Sequence, residues 1–199
     1  MQLRTLAAGL TAAAALAALP ASAMAAPSAV DSLTGPAHID GHTYSAAQMK
    51  HRYHGQKLFF VLGSREEGRG AVAAFHTSAA AKAYARAHHE MAPAGAARVA
   101  YNGGQTVFYQ DAYLEGNSIA ANNNSGIGNL ADYCMINNIF WCGASWDNQI
   151  SSAKTGNDGA YLYNMPYLNA SAGWTYVAAN DSVELWHWFN DVASSVWVP

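Results

Sequence analysis

The chain has 199 residues and a formal net charge of −3, with 51% hydrophobic and 12% charged residues. That composition supports a folded protein and excludes a disordered acidic or basic polymer. From Gln105 onward a single lysine, Lys154, faces eight acids, a formal charge of −7, which disfavours nucleic acid and anionic lipid and favours divalent cations.

Arg4, the Ala- and Leu-rich run from Leu6 to Leu19, Pro20 and the Ala-x-Ala sites at Ala21–Ala23 and Ala23–Ala25 read as a signal peptide over 1–25. The apolar run is too short to span a bilayer. The expected product is exported and extracellular, from a bacterium, with no membrane anchor. Residues 26–55 contain Pro and His with little periodicity and read as a flexible lead.

Residues 56–104 carry "KLFFVLGS" and "AVAAFHT", two predicted strands around the turn "REEGRG", then a helix over about 79–89 capped by Thr77 or Ser78. The predicted face of that helix is Ala80, Tyr84, Ala87 and Met91, and Pro93 and Gly95 stop it. This reads as a small α+β (β-β-α) module, with "ARVAY" as a candidate closing strand, and it buries too little surface to be secure alone. His38, His42, His51 and His54 could suggest zinc, but in a flexible lead they read as solvated and incidental.

Beyond the "NGG" at 102–104 helical periodicity ends. Short runs such as "TVFYQ", "GNSIAA", "DGAYLY", "WTYVAA" and "SSVWV" predict an all-β domain over 105–199, a sandwich or barrel. Cys134 and Cys142 read as a local disulfide in an exported chain. The segment "DYCMINNIFWCG" is then a pinned excursion. The tryptophans read as core and rim rather than as a sugar platform. Catalysis has no support: no serine stands in G-x-S-x-G, and the domain's one histidine is His187.

That domain repeats itself. "DNQISS" (Asp147 to Ser152) and "NDVASS" (Asn190 to Ser195) both have the form Asx-Asx-x-x-Ser-Ser. Each follows an aromatic stretch, Tyr109, Tyr113 and Gly116 in the first and Tyr163 and Tyr167 in the second. These residues resemble the βγ-crystallins, in particular their microbial calcium-binding members. The resemblance implies a βγ-crystallin Greek key β-sandwich of two motifs, and serines Ser152 and Ser195 packed over the hairpins. It also implies Ca2+ held by Asp147, Asn148 and Ser151 in one clamp and Asn190, Asp191 and Ser194 in the other.

One carboxylate per clamp implies weak affinity, about 10⁻⁴ to 10⁻³ M, as in extracellular modules. The same residues also favour turns without any metal. In the second hairpin Ala170 stands where the family has glycine, so that hairpin is expected to be longer or to use Gly173.

Secreted proteins of this kind are also similar to a family of peptidase inhibitors whose founding member inhibits a metalloproteinase, though no reactive loop is recognisable here. The expected function is that of a monomeric binding protein or inhibitor acting on an extracellular peptidase or cell-surface component. The alternatives are a cell-wall or glycan-binding module or a small secreted toxin.

Overall fold

The computed structural model of the chain describes residues 28–63, 66, 68–88, 105–137 and 142–199. The expected signal peptide, the strand at "ARVAY" and the helix stop at Pro93 and Gly95 lie outside the described residues.

From Ser28 onward, the stretch expected as a flexible lead forms short helices and strands. Ser28 caps a short helix α1 (Ala29–Ser32), and Asp31 reaches back to complete a capping box. Strands β1 (Ala37–Ile39) and β2 (His42–Tyr44) form a hairpin, and Ser45 with Gln48 makes a second capping box at the head of α2 (Ala46–Tyr53). What anchors these pieces is apolar burial that composition alone underweights. Ala29, Val30, Leu33, Met49 and Tyr53 all enter the main core.

Strands β3 (Leu58–Leu62) and β4 (Val72–Phe75) pair antiparallel, as expected, with Phe60 opposite Ala74. Helix α3 (Ser78–Ala87) starts at Thr77, whose hydroxyl accepts the Ala80 N–H at 3.2 Å. Its buried residues are Ala81 and Ala85, not the predicted Ala80 and Ala87. These two small side chains join Phe59 and Val61 of β3 in one apolar cluster, while Leu58, Phe60 and Leu62 face the main core. β3 is therefore buried on both faces, which explains its unbroken apolar run.

The all-β part contains β5 (Gln105–Tyr109), β6 (Ser118–Asn122), β7 (Ser125–Ile127), β8 (Cys134–Asn137), β9 (Cys142–Ser145), β10 (Ser152–Lys154), β11 (Ala160–Tyr163), β12 (Gly173–Val177), β13 (Ser182–Glu184) and β14 (Ser195–Val198). Among the described residues, one sheet has the order β2-β1-β4-β3-β12-β11-β14-β7, a second β13-β10-β5-β6, and β8-β9 stand apart as a pair. The second sheet takes β5, β6 and β10 from the first repeat and β13 from the second. The large sheet takes β11, β12 and β14 from the second repeat and β7 from the first. Each repeat thus lends its third strand to the other's sheet. Phe108, Ala153 and Val183 of one sheet and Leu162, Val177 and Val196 of the other lie in the same core cluster.

The boundary read near residue 104 is not a break in the fold. β3 pairs with β12 in parallel along their whole length, from Leu58 opposite Gly173 to Leu62 opposite Val177. Gly173 has φ +99°, and a Cβ there would collide with the Leu58 carbonyl oxygen. Ala170 instead opens a 3-10 turn, Ala170–Ala172, and Gly173 begins β12 where two backbones meet, so its positive φ serves the strand contact and not the hairpin. Further ties run from Thr34 N–H to the Trp188 carbonyl (2.9 Å) and from Asn164 Nδ2 to the Ser32 hydroxyl (3.1 Å). The protein is mostly β, with a large mixed sheet and few helices, and no described helix is long and apolar enough to cross a membrane.

Candidate metal centre

The two hairpins are built alike. Tyr113 and Leu114 have φ of 60° and 61°, and Tyr167 and Leu168 have 62° and 55°, a left-handed pair unusual for such side chains. The hydroxyl of Ser152 accepts the Leu114 N–H at 3.1 Å and donates to the Asp111 carbonyl at 2.7 Å. The hydroxyl of Ser195 accepts the Leu168 N–H at 3.1 Å and donates to the Met165 carbonyl at 2.6 Å. Both serines are fully buried, so each supplies the partners that an irregular turn would otherwise lack.

Leu114 and Ser152 are 38 residues apart, whereas Leu168 and Ser195 are 27 apart. The first repeat is thus eleven residues longer, and the difference accommodates β8 and β9, where Cys134 and Cys142 form the disulfide.

The two Asx-Asx-x-x-Ser-Ser stretches also match and lie side by side. Their second positions, Asn148 and Asp191, have φ of 55° and 53°. The fifth-position N–H groups bind the ends of the strands that open their own repeats, Ser151 to the Tyr109 carbonyl (2.9 Å) and Ser194 to the Tyr163 carbonyl (2.8 Å). Across the pair, Asn148 N–H donates to the Ala193 carbonyl (3.0 Å) and Asp191 N–H to the Ile150 carbonyl (3.3 Å). Ser151 Oγ donates to Asp191 Oδ1 at 3.2 Å. The structure thus brings the six predicted residues into two adjoining turns.

Their electrostatics are uneven. Burial raises the Asp191 carboxyl above the usual range and the Asp111 charge adds to this, against hydrogen bonds from Ser151 and Asn190 that lower it. Asn190 Nδ2 reaches Asp191 Oδ2 at 2.6 Å. Asp147 Oδ2 accepts from Asn148 Nδ2 at 3.2 Å, but its Oδ1 is buried with no hydrogen-bond partner among the described residues. A buried carboxylate oxygen without a donor is costly and suits a cation.

No group of three or more His, Cys, Asp or Glu side chains gathers among the described residues. The oxygens at the paired turns are the carboxylate, amide and hydroxyl oxygens of Asp147, Asn148, Ser151, Asn190, Asp191 and Ser194, the hard donor type that calcium prefers over softer metals. His38 bonds to Thr43 (3.0 Å) and His54 to Asp31 (2.8 Å) instead of converging.

Two contributors escaped the sequence. Glu184 receives the Tyr113 N–H on both carboxylate oxygens, at 3.0 and 2.9 Å, from 71 residues away. Asp111 bears on Asp191 from the other repeat's hairpin. Neither has a local signal, because each acts only once the repeats are packed. Trp146, Trp174 and Trp188 are buried, as core residues should be.

No protein-family model matches the chain, and no curated protein matches it. Among solved structures, the chain is similar to one described under the evolution of the eye lens βγ-crystallin domain fold (17% identity, TM-score 0.36, covering 48% of this chain and 84% of that one). It is similar to a βγ-crystallin from Ciona intestinalis (12% identity, TM-score 0.36, 48% and 100%). It is also similar to Hahellin, a βγ-crystallin solved by NMR (22% identity, TM-score 0.32, 47% and 89%). These likenesses extend over about half of this chain.

Proposed function

We propose that residues 105–199 are a βγ-crystallin-type domain, a sandwich of two Greek key motifs, that binds calcium at the paired clamps. The observation that carries the metal reading is the buried, unpartnered Asp147 Oδ1 beside a second turn whose Asp191 is bonded to Ser151. Asp147, Asn148 and Ser151 of one turn and Asn190, Asp191 and Ser194 of the other would supply the oxygens, with Ser151 and Asp191 meeting between them. Bound calcium would supply positive charge between turns that already touch, stiffening the junction of the two repeats. The residues' own task is to hold oxygens in place: Ser151 orients Asp191, and Ser152 and Ser195 fix the hairpins.

Calcium that binds only the folded chain at ten times its dissociation constant stabilises by about 1.4 kcal/mol per site. The test is thermal unfolding of the whole mature chain in EDTA and in millimolar calcium. A calcium-dependent rise in Tm supports the proposal, and superimposable curves overturn it.

The same reading makes the protein exported and non-catalytic, a monomer that binds or inhibits an extracellular peptidase or another cell-surface component. Support comes from Tyr113 and Tyr167 at the hairpin tips, 70% and 76% exposed, since solvent-facing tyrosines suit protein recognition. Inhibition assays against secreted metallo- and serine peptidases, beside a glycan pull-down, separate this from a wall-binding module.

A further inference from the structure

The amino-terminal part of the fold contains a cavity of about 730 Å³ that the calcium reading does not use. Its apolar wall is made by Ile39, Ala71, Ala73 and Phe75, small enough in the main to leave room for a ligand. The polar wall holds Glu66, which is only 1% exposed. Its Oε1 accepts the Tyr84 hydroxyl at 2.7 Å, while Oε2 is buried with no partner among the described residues. Arg69 does not reach this carboxylate; its Nη1 donates to the Tyr84 oxygen at 3.4 Å. Across the cavity His76 Nε2 lies 3.0 Å from Asp40 Oδ2, which also accepts the Tyr53 hydroxyl at 3.3 Å. Asp40 is thereby occupied, and Glu66 carries the acceptor capacity left over.

A folded chain has little reason to keep a carboxylate oxygen out of water and unpaired, because removing a charge from water without a partner is expensive. Such a group is a common mark of a binding site whose ligand brings the missing donor.

From this we infer that the cavity formed by β1, β4 and α3 binds a small organic amine, its ammonium directed to Glu66 and its hydrocarbon body laid on the Ala71, Ala73 and Phe75 wall. An ammonium has three N–H donors and a positive charge, so it can satisfy Oε2 and still bond a neighbouring oxygen. A neutral alcohol of equal length brings one donor and no charge. A carboxylate would meet a like charge. The assignment is independent of calcium and of the clamps.

The test is calorimetric titration of the whole mature chain with n-pentylamine, n-pentanol and pentanoate, in EDTA. Pentylamine should bind at least ten-fold tighter than pentanol, and pentanoate should not bind measurably. Glu66→Gln should lose at least ten-fold in pentylamine affinity with pentanol unchanged. Arg69→Ala, which removes a like charge from the mouth, should tighten pentylamine binding. Equal binding of the three wild-type ligands, or undiminished amine binding by Glu66→Gln, overturns the assignment. The three-ligand comparison needs no variant, so it decides the matter even if Glu66→Gln fails to fold.

Discussion

Ser151 and Asp191 belong to different repeats, yet the hydroxyl of the first donates to the carboxylate of the second at 3.2 Å. The fifth position of one turn is thereby tied to the second position of the other. This relationship separates the roles of the adjacent serines, because Ser152 bonds a hairpin backbone instead. Ser151→Ala should weaken calcium binding by about tenfold, roughly 1.4 kcal/mol, with a smaller change in calcium-free stability. Calorimetric titration and denaturant melts of the same variant check both halves.

Ser152→Ala and Ser195→Ala should each lower calcium-free stability by about 1 to 3 kcal/mol, since each strands a hairpin carbonyl and N–H. Ala170 stands where the first hairpin has Gly116, but it is not among the residues with positive φ, so no left-handed strain falls on it. The two hydroxyls have matching bonds, so equal losses are expected. Urea unfolding in EDTA measures them.

Asp147→Asn should act with opposite signs in the two states. Without calcium the variant removes a buried charge and should raise Tm; with calcium it removes a proposed ligand and should lower the calcium-dependent gain. Melting curves of wild type and variant in EDTA and in millimolar calcium will cross in rank if the assignment holds.

Gly173→Ala should be destabilising by about 1 kcal/mol for the left-handed backbone alone, and by more because a Cβ meets the Leu58 carbonyl. Gly128→Ala, at a glycine with open space around its Cβ position, serves as the control. Denaturant midpoints of the two variants give the comparison.

Burial pushes the Tyr161 hydroxyl up to about 12, with Tyr163 adding to the shift. The folded state therefore holds this proton more tightly than the unfolded chain does. Its contribution to stability is intact below the ordinary tyrosine value of about 10 and is lost as pH rises from there through about 12. Tyr161→Phe should flatten part of that alkaline decline, as read from melting temperature against pH.

What the sequence determined by itself is what local chemistry encodes. Two Asx-Asx-x-x-Ser-Ser stretches after aromatic hairpins gave the duplication, because a left-handed turn needs a hydroxyl partner and the same solution appears twice. The cap at Thr77 and the strands at "KLFFVLGS" and "AVAAFHT" were likewise legible from propensity and alternation.

Tertiary structure alone decided the rest. β7 ("SGI") and β13 ("SVE") are three residues long and have no sequence signal, and they are strands only because the opposite repeat's sheet offers them an edge. The stretch from Ser28 to Tyr53 reads as a lead because it has little periodicity, but the folded chain buries Ala29, Val30, Leu33, Ala37, Ile39, Met49 and Tyr53. The parallel pairing of β3 with β12 joins segments more than a hundred residues apart, and only a glycine at the contact hints at it. Pairing of this kind depends on which surfaces remain unburied after local structure has formed, and no single segment contains that information.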